Sequence, residues 1–305
     1  MTKSNCYDSM IFSAGNILLP HCDLHYYFLD AFSIKYYKLG ISKSTYDEII
    51  NNFVENNILK DYYGLCITRE IVEGRALIEK KIEDIVLKKS KPIGIQMDSF
   101  YIPWNSLQFQ MHRTHCFIIT EIIDDNYICI DTFLSEEKVC INKKILFDNI
   151  DSIFYFYYDE KLKKNNSLED IILLLKGYIG TEHKEHIEKI EEFATDILNS
   201  KFDTIEHIDY DNIEQSSLIF SIANIEWRRK NFSNALELAK INFNTPLFDN
   251  IILLLNEICA MWGTAKSLMI KNIYAKNYYK KAGQLVQAIA SKENIVIEML
   301  LSINL

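Results

Sequence analysis

The chain has little glycine and proline for its length, with 9 glycines and 4 prolines among 305 residues. Because these residue types mark turns and loops, their scarcity predicts a protein built mostly of regular helices and strands. A chain of this length can bury one large hydrophobic core or two ordinary ones. Its 49% hydrophobic and 25% charged residues are typical of a globular protein.

The sequence also lacks the features of a secreted or membrane protein. Its first ten residues, MTKSNCYDSM, contain no apolar core of a signal peptide, and no uninterrupted apolar run approaches the ~18 residues of a membrane span. The seven cysteines are odd in number and show no Cys-x-x-Cys spacing, which fits reduced thiols better than a disulfide framework. We therefore expect a cytoplasmic protein without a membrane partner.

Positive charge is in the minority, with 33 lysines and arginines against 42 aspartates and glutamates and a net charge of −9. Proteins that bind nucleic acid usually carry a basic surface for the phosphate backbone, so we expect no nucleic-acid partner. Arg228, Arg229 and Lys230 form a local basic cluster, for which a solvated surface is the simpler interpretation. The same interpretation applies to His183 and His186, one helical turn apart.

The pattern of apolar residues changes near residue 160. Before it, amphipathic helical segments, one of them over residues 70–89, precede five segments rich in β-branched and aromatic residues: PIGIQMD, HCFIITEI, NYICIDTF, EKVCI and SIFYFYYD. After it, strand signals vanish and helical periodicity continues. We predict an α+β domain over residues 1–160, with four to six mostly antiparallel strands, and an all-helical domain of five to seven helices over residues 161–305. The oligomeric state stays open.

Cys6 stands where a helix is expected to begin. The letters SNC precede an amphipathic segment, so Ser4 or Asn5 can cap the helix and Cys6 falls in its first turn. There the helix dipole and the unpaired backbone N–H groups favour a thiolate, and the same N–H groups can form part of an oxyanion hole. Cys6 is therefore a candidate nucleophile. The alternative is an inert, small hydrophobic side chain.

A candidate base and a candidate acid lie in HRTHCFIITEIIDDNYICIDTF, residues 112–133. We interpret this segment as a β-hairpin in which His115 begins one strand and Asp131 ends the next. A carboxylate beside an imidazole fixes its tautomer and stabilises its protonated form, as general base catalysis requires. A tight turn at 124–126 would leave the two residues about four positions, or ~13 Å, out of register. We therefore expect a bulge or strong twist within 121–125.

Four further residues near this hairpin are candidates for substrate contact. Asp98 ends a strand and precedes the aromatic loop SFYIPWN, where it either lines the pocket or caps the loop. Tyr101 and Trp104 in this loop either stack on an acyl chain or pack in the core. His112 is the alternative base, although its place in the polar lead-in to the strand suits substrate contact or the surface better.

A metal site is the weaker interpretation of the histidines and cysteines. Two sets contain suitable ligand types: His21, Asp23 and His25, and His112, His115, Cys116 and Cys129. Neither set has zinc-finger spacing, and strand alternation places Cys116 on the face opposite His115. The sequence also contains neither a phosphate-binding glycine loop nor a dinucleotide fingerprint. We expect no metal ion and no bound cofactor.

Three segments resemble the butirosin-type acyltransferase family: NCYDS, PIGIQMDSFYIPWN, and HRTHCFIITEIIDD with the YICID that follows it. Members of this family are papain-like cysteine enzymes of natural-product and antibiotic biosynthesis, and the amide synthases of closthioamide-type pathways are of a similar kind. The separation of 16 residues between His115 and Asp131 also resembles that in bacteriocin-processing cysteine peptidases. The resemblance covers residues 1–160.

The resemblance implies a papain-like fold with a catalytic triad of Cys6, His115 and Asp131, followed by a helical accessory domain. It implies transfer of an acyl chain from the phosphopantetheine thioester of an acyl or peptidyl carrier protein to a small amine acceptor, through a thioester on the cysteine. Asn5, Gln96 or a backbone N–H is then expected to complete the oxyanion hole. The alternatives are a peptidase or thioesterase that uses the same triad, and a non-catalytic binding protein.

Overall fold

The computed structural model describes residues 5–32, 57–72, 74–106, 108–180, 183–199, 217–275 and 278–304. Contacts between Cα atoms divide the chain into two units. The sheet unit comprises the described residues up to Leu24 together with Asn57–Lys164, and the helical unit comprises residues 25–32 together with 165–304. The predicted division into 1–160 and 161–305 differs from this one at two places: residues 25–32 belong to the helical unit, and residues 161–164 belong to the sheet unit.

The sheet unit has an α+β structure built on six strands. These are β1 (Leu65–Ile71), β2 (Ile93–Asp98), β3 (Thr114–Ile123), β4 (Asn126–Ile130), β5 (Val139–Asn142) and β6 (Ile150–Tyr158). They form one sheet in the order β1-β6-β2-β3-β4-β5, and every neighbouring pair is antiparallel. The predicted α+β class and the antiparallel sheet are thus confirmed.

The described residues of the sheet unit also form four α-helices. They are α1 (Cys6–Leu18), α2 (Asn57–Tyr63), α3 (Arg75–Glu83), which continues as a π-helical turn over Asp84–Lys88, and α4 (Lys143–Asn149). The helix predicted over 70–89 therefore begins later than expected. Glu70 and Ile71 are instead the last residues of β1, a strand that the sequence patterns did not predict.

Helices cover both faces of the sheet. Side chains alternate along a strand, so Phe117 and Ile119 share one face of β3, where they join a buried cluster with residues of α3 and α4. Helix α1 packs on the other face, where a Cβ at Gly94 would come within 2.6 Å of Met10 Sδ. Glycine at position 94 thus permits the close approach of α1 to the sheet. The approach brings the first turn of α1 to the start of β3.

The described part of the helical unit contains α5 (Leu168–Gly180), α6 (His183–Leu198), α7 (Ser217–Phe243), α8 (Asp249–Ala275) and α9 (Tyr279–Ser302). Helix α9 packs against α6 and α8, and α7 packs against α8. A short 3-10 helix, His25–Asp30, also lies against α7. The described residues of this unit form no strand, in agreement with the helical region that the sequence predicts.

A buried ion-pair network lies inside the helical unit. Arg229 of α7 donates from Nε and Nη2 to the two carboxylate oxygens of Glu293 of α9, each at 2.8 Å, and from Nη1 to the carbonyl oxygen of Ala31 at 3.1 Å. His186 Nε2 lies 2.7 Å from the same carboxylate, which also accepts the indole N–H of Trp262 at 3.1 Å. Arg229 and Glu293 are 0% exposed and His186 is 4% exposed. The predicted solvated surfaces are therefore wrong for Arg229 and His186.

One helical segment in the described chain is long and apolar enough to cross a membrane. It is Asp249–Asn272 of α8, with a mean hydropathy of 1.3. Core helices of water-soluble proteins meet the same criterion, and Leu255 and Trp262 in this segment are buried within the helical unit. The expectation of a cytoplasmic protein without a membrane partner stays a prediction.

Candidate active site

Cys6 is the first residue of α1, and Asn5 caps this helix. The side chain of Asn5 accepts a hydrogen bond from the Asp8 backbone N–H at 2.8 Å and donates one to the Asp8 carboxylate at 2.9 Å. The predicted helix start is therefore confirmed, with Asn5 as the cap. Cys6 is partly exposed, whereas the thiols of Cys116 and Cys129 in the sheet are buried. A partly exposed thiol in the first turn of a helix is in a position that favours the thiolate.

His115 and Asp131 meet in the interior of the sheet unit. Their side chains are 6% and 1% exposed, and His115 Nε2 lies 2.7 Å from Asp131 Oδ2. The carboxylate also accepts the backbone N–H groups of Phe133 and Leu134 at 3.2 and 3.3 Å. Burial works to raise the pKa of Asp131, but the charge and hydrogen bond of His115 and the further donors lower it overall. A buried carboxylate held ionised in this way fixes the orientation of the imidazole.

The pairing of β3 with β4 brings His115 and Asp131 together with a smaller shift in strand register than the sequence predicts. A bulge at Thr120 shifts the register by one position, and Ile118 then pairs with Ile130, the last residue of β4. Continued by one residue, this register would put Asp131 opposite Phe117. His115 is then two residues away on the same face of β3. Diagonal neighbours of this kind, with Cα atoms ~7–8 Å apart, are within reach of long side chains. The expected bulge thus exists, just before the predicted 121–125, and the side chains span the remaining offset.

The remaining ring nitrogen of His115 is Nδ1, because Nε2 is bonded to Asp131. Interaction with the Cys116 thiol is the largest influence on the pKa of Cys6, and it lowers that pKa. Burial of Cys6 raises the pKa, but the interaction with His115 and the charge of His115 lower it again. The resulting pKa of Cys6 is about 5. Burial works to lower the pKa of His115, but the charge and hydrogen bonds of Asp131 and Cys6 raise it to about 10. Near neutral pH, Cys6 and His115 therefore form a thiolate–imidazolium pair.

Cys116 is a second thiol at this site. It lies on the face of β3 that α1 covers, so alternation along the strand directs it away from His115 and toward Cys6. Its hydrogen bond to Cys6 and its burial raise the pKa of Cys116 well above the usual value. The contact between the two thiols therefore favours ionisation of Cys6 over that of Cys116. This contact was not predicted from the sequence, although strand alternation was the signal that could have indicated it.

Gln96 pairs directly with Cys116 across β2 and β3. Its side chain is 8% exposed, and its Oε1 has no hydrogen-bond partner in the described part of the chain. Directly paired residues have Cβ atoms ~5 Å apart, so the side chains of Gln96 and Cys116 are neighbours on the face that α1 covers. Both ends of the Asn5 carboxamide are already bonded to Asp8. The unpaired Oε1 of Gln96 is an acceptor, so only its side-chain Nε2 could donate to an oxyanion, and a role of Gln96 in the oxyanion hole stays a prediction.

Trp104 contacts the candidate triad directly. Its indole N–H donates to Asp131 Oδ2 at 2.7 Å, and its ring lies edge-on to Phe117 at a centroid distance of 5.2 Å. The hydrogen bond gives Trp104 a positioning role on the carboxylate that the sequence analysis did not anticipate. Stacking of this ring on an acyl chain stays a prediction.

Asp98 and Tyr101 lie around His112. Asp98 Oδ1 accepts the backbone N–H of Phe100 at 3.0 Å, and Oδ2 lies 2.6 Å from His112 Nδ1. Asp98 therefore caps the loop, one of its two predicted roles, and is also the partner of His112. The ring of Tyr101 is edge-on to that of Phe100 at 5.0 Å and to that of His112 at 6.5 Å. Substrate contact by Asp98 and Tyr101 stays a prediction.

The histidines of the site have carboxylate partners of their own. Each of His112 and His115 is bonded to a different aspartate, and Cys116 lies on the strand face opposite His115. Within the described ranges, no group of three or more histidine, cysteine, aspartate and glutamate side chains is placed to hold a metal ion. The expectation of a metal-free site stays a prediction.

Comparison with known proteins does not assign the chain to a family. No protein-family model matches the sequence, and no curated protein matches it. The functional assignment therefore depends on the motifs and on the geometry of the site.

Proposed function

We propose that the chain is a papain-like cysteine acyltransferase in which Cys6 is the nucleophile, His115 the base and Asp131 the residue that orients the base. The observation that carries the proposal is the buried His115–Asp131 pair, with 2.7 Å between Nε2 and Oδ2, together with Cys6, a partly exposed residue whose pKa is lowered by Cys116 and by His115. A nucleophile bonded to a base that a third group orients is the arrangement that covalent catalysis requires. The packing of α1 on an antiparallel sheet supports the papain-like assignment.

The first half-reaction transfers the acyl group to the enzyme. The Cys6 thiolate attacks the carbonyl carbon of a thioester carried on the phosphopantetheine of an acyl or peptidyl carrier protein. The tetrahedral oxyanion accepts hydrogen bonds from backbone N–H groups in the first turn of α1 and from the side-chain Nε2 of Gln96. As the bond between the carbonyl carbon and the phosphopantetheine sulfur breaks, the leaving thiolate takes the proton of His115. The product is an acyl thioester on Cys6.

The second half-reaction transfers the acyl group to a small amine. The nitrogen attacks the acyl carbon, and His115, now neutral, accepts the proton that the nitrogen loses. The bond from the acyl carbon to Cys6 Sγ breaks, which releases the amide and restores the thiolate–imidazolium pair. Exchange between thioesters is nearly thermoneutral and amide formation from a thioester is downhill, so the sequence of steps needs no ATP.

The proposal is tested with the full chain and the N-acetylcysteamine thioesters of benzoate and octanoate, followed by propylamine. We expect one acyl group per chain by intact mass, with the adduct on Cys6, and the corresponding propylamide after the amine is added. The adduct should be absent from Cys6→Ala and unchanged in Cys22→Ala, a matched control because Cys22 is also partly exposed. Failure of the wild-type chain to form an adduct would contradict the nucleophile assignment. Free acid as the sole product, at a rate independent of amine, would identify a hydrolase instead.

A further inference from the structure

The amide-forming step must remove two protons from the acceptor. An alkyl amine with a pKa of about 10 is an ammonium ion at pH 7, and only about one molecule in 10³ is neutral. The ammonium loses one proton to become a nucleophile and a second as the carbon–nitrogen bond forms. In the acyl-enzyme, His115 accepts one proton through Nδ1, since its Nε2 is bonded to Asp131. The first proton therefore calls for another acceptor near the acyl group.

A second histidine–carboxylate pair lies beside the start of β3. The ring of His112 stacks on Phe100 with a centroid distance of 4.2 Å and an interplanar angle of 4°. Its Nδ1 is bonded to Asp98 Oδ2 at 2.6 Å, and Asp98 Oδ1 accepts the backbone N–H groups of Phe100 and Arg113 at 3.0 and 3.2 Å. The His112 side chain is 66% exposed. The ring is thus held in one orientation, with Nε2 as the nitrogen left for substrate or solvent.

Strand alternation places Asp98, the partner of His112, on the face of the sheet that α1 covers. Asp98 pairs directly with Thr114, whose carbonyl oxygen lies 3.9 Å from Cys6 Sγ. Asp98 is also two residues from Gln96 along β2, so both side chains belong to the face that α1 covers. The chain from Thr114 to His112 spans at most ~7 Å. His112 is thus two residues along the chain from Thr114, whose carbonyl oxygen contacts the thiol.

We propose that His112 is a second base, which takes the first proton from the ammonium form of the acceptor; this inference rests on the proposed acyl transfer. His112 Nε2 accepts the proton from the ammonium nitrogen, and the neutral amine then attacks the acyl carbon on Cys6. His115 accepts the second proton as the carbon–sulfur bond breaks, and His112 returns its proton to solvent. Asp98 and Phe100 are positioning residues that stabilise and orient the His112 ring. The acceptor class is accordingly a basic alkyl amine.

The test separates acylation from aminolysis. The octanoyl-enzyme of the full chain is prepared with octanoyl-N-acetylcysteamine and freed of excess thioester. Its decay is then followed by intact mass with propylamine, and with methoxyamine, which is already neutral at pH 7. For His112→Asn we expect Cys6 acylation at the wild-type rate, a fall of about 100-fold in aminolysis by propylamine, and a change of less than about twofold with methoxyamine. Asp98→Asn should give a smaller loss, again with propylamine alone.

His21→Asn is the matched control. His21 is an exposed residue in the turn beyond the far end of α1, about 20 Å from Cys6 by the rise of the helix, and its φ of 73° is one that asparagine tolerates. It should leave both amines unaffected. Equal losses with propylamine and methoxyamine in His112→Asn would indicate a structural role and overturn the inference. An acyl-enzyme that reacts with propylamine equally well in the wild type and His112→Asn would overturn the second base alone. A wild type that forms no acyl-enzyme would overturn the proposed function itself.

Discussion

The two units of the molecule each bury a histidine against a carboxylate, and in both the nitrogen–oxygen distance is 2.7 Å. In the sheet unit, Cys116 and His115 both lower the pKa of Cys6, a partly exposed residue. In the helical unit, the carboxylate of Glu293 is bonded by Arg229 through both of its oxygens. The difference shows that a buried histidine–carboxylate pair becomes a candidate base only where the third group is a reachable nucleophile.

The two histidine–carboxylate pairs also differ in the cation that balances the charge of the carboxylate. Burial works to raise the pKa of Glu293, but the charge of Arg229 and the contact with His186 lower it to about 2. The negative charge of this carboxylate is thus satisfied mainly by a permanent cation. Asp131 has His115 as its charged partner, and that charge also stabilises the Cys6 thiolate. The first arrangement holds helices together, and the second can exchange protons with a substrate.

Removal of each imidazole should give the largest contrast between the two pairs. His115→Ala should lower the rate of Cys6 acylation by about 10³- to 10⁴-fold, because general base catalysis and the stabilising charge are lost together. His186→Ala should leave that rate within about twofold, at a temperature where both variants are folded by circular dichroism. Acylation rates from intact mass provide the measurement. Equal losses in the two variants would show that the comparison is mistaken.

Replacing each carboxylate by an amide should affect a different property in each unit: stability in the helical unit and acylation in the sheet unit. Glu293→Gln leaves the guanidinium of Arg229 buried without its partner, which should lower the free energy of unfolding by about 3–5 kcal/mol in urea titrations. The double variant Glu293→Gln with Arg229→Met should recover most of this loss. Asp131→Asn should instead lower Cys6 acylation by about 10²- to 10³-fold, because the imidazole loses the group that orients it. A stable Glu293→Gln variant would contradict the assigned role of the ion pair.

The helical pair should also give the protein a defined sensitivity to acid. The folded-state pKa of Glu293 is about 2, against an ordinary value of 4.5. Its stabilising contribution is therefore complete above pH 4.5 and is lost as the pH falls toward 2. The urea midpoint of the wild type should fall across this window more steeply than that of the Glu293→Gln, Arg229→Met double variant. Parallel pH profiles would assign the acid sensitivity to other carboxylates.

The smallest expected effects come from removing the tryptophan N–H group that donates to each carboxylate. Trp104→Phe removes one donor from Asp131 but keeps an aromatic ring against Phe117, so acylation should fall by about 3- to 10-fold, the effect of one modest hydrogen bond. Trp262→Phe removes the corresponding donor from Glu293 and should affect urea stability alone. An unchanged acylation rate in Trp104→Phe would remove the positioning role.

Local sequence signals were sufficient for the parts of the site that depend on one element. The capping residue Asn5 placed Cys6 at a helix start, and the apolar runs placed His115 and Asp131 on neighbouring strands. The bulge at Thr120 and the diagonal contact were not predictable in detail, because pairing registers depend on the whole sheet. Strand β1 was missed because it is an edge strand with several exposed side chains, and it therefore lacks a strong apolar alternation.

The buried network of the helical unit was beyond the sequence patterns for a different reason. Arg229 belongs to a run of basic residues, and its partner Glu293 lies 64 residues later on another helix. His186 is 107 residues from the same carboxylate. Patterns within one helix do not reveal charges that neutralise each other across a bundle, so a solvated surface was the natural interpretation of both groups.

The most direct test of the central claim is the titration of Cys6. The pH dependence of alkylation by iodoacetamide is measured for each cysteine of the full chain by peptide mass, with Cys22 as internal control because burial raises its pKa above the usual value. The account predicts a midpoint near pH 5 for Cys6, and a shift upward by at least about 2 pH units in His115→Ala. A Cys6 midpoint of about 8.5, that of an ordinary thiol, in both the wild type and the variant would contradict it.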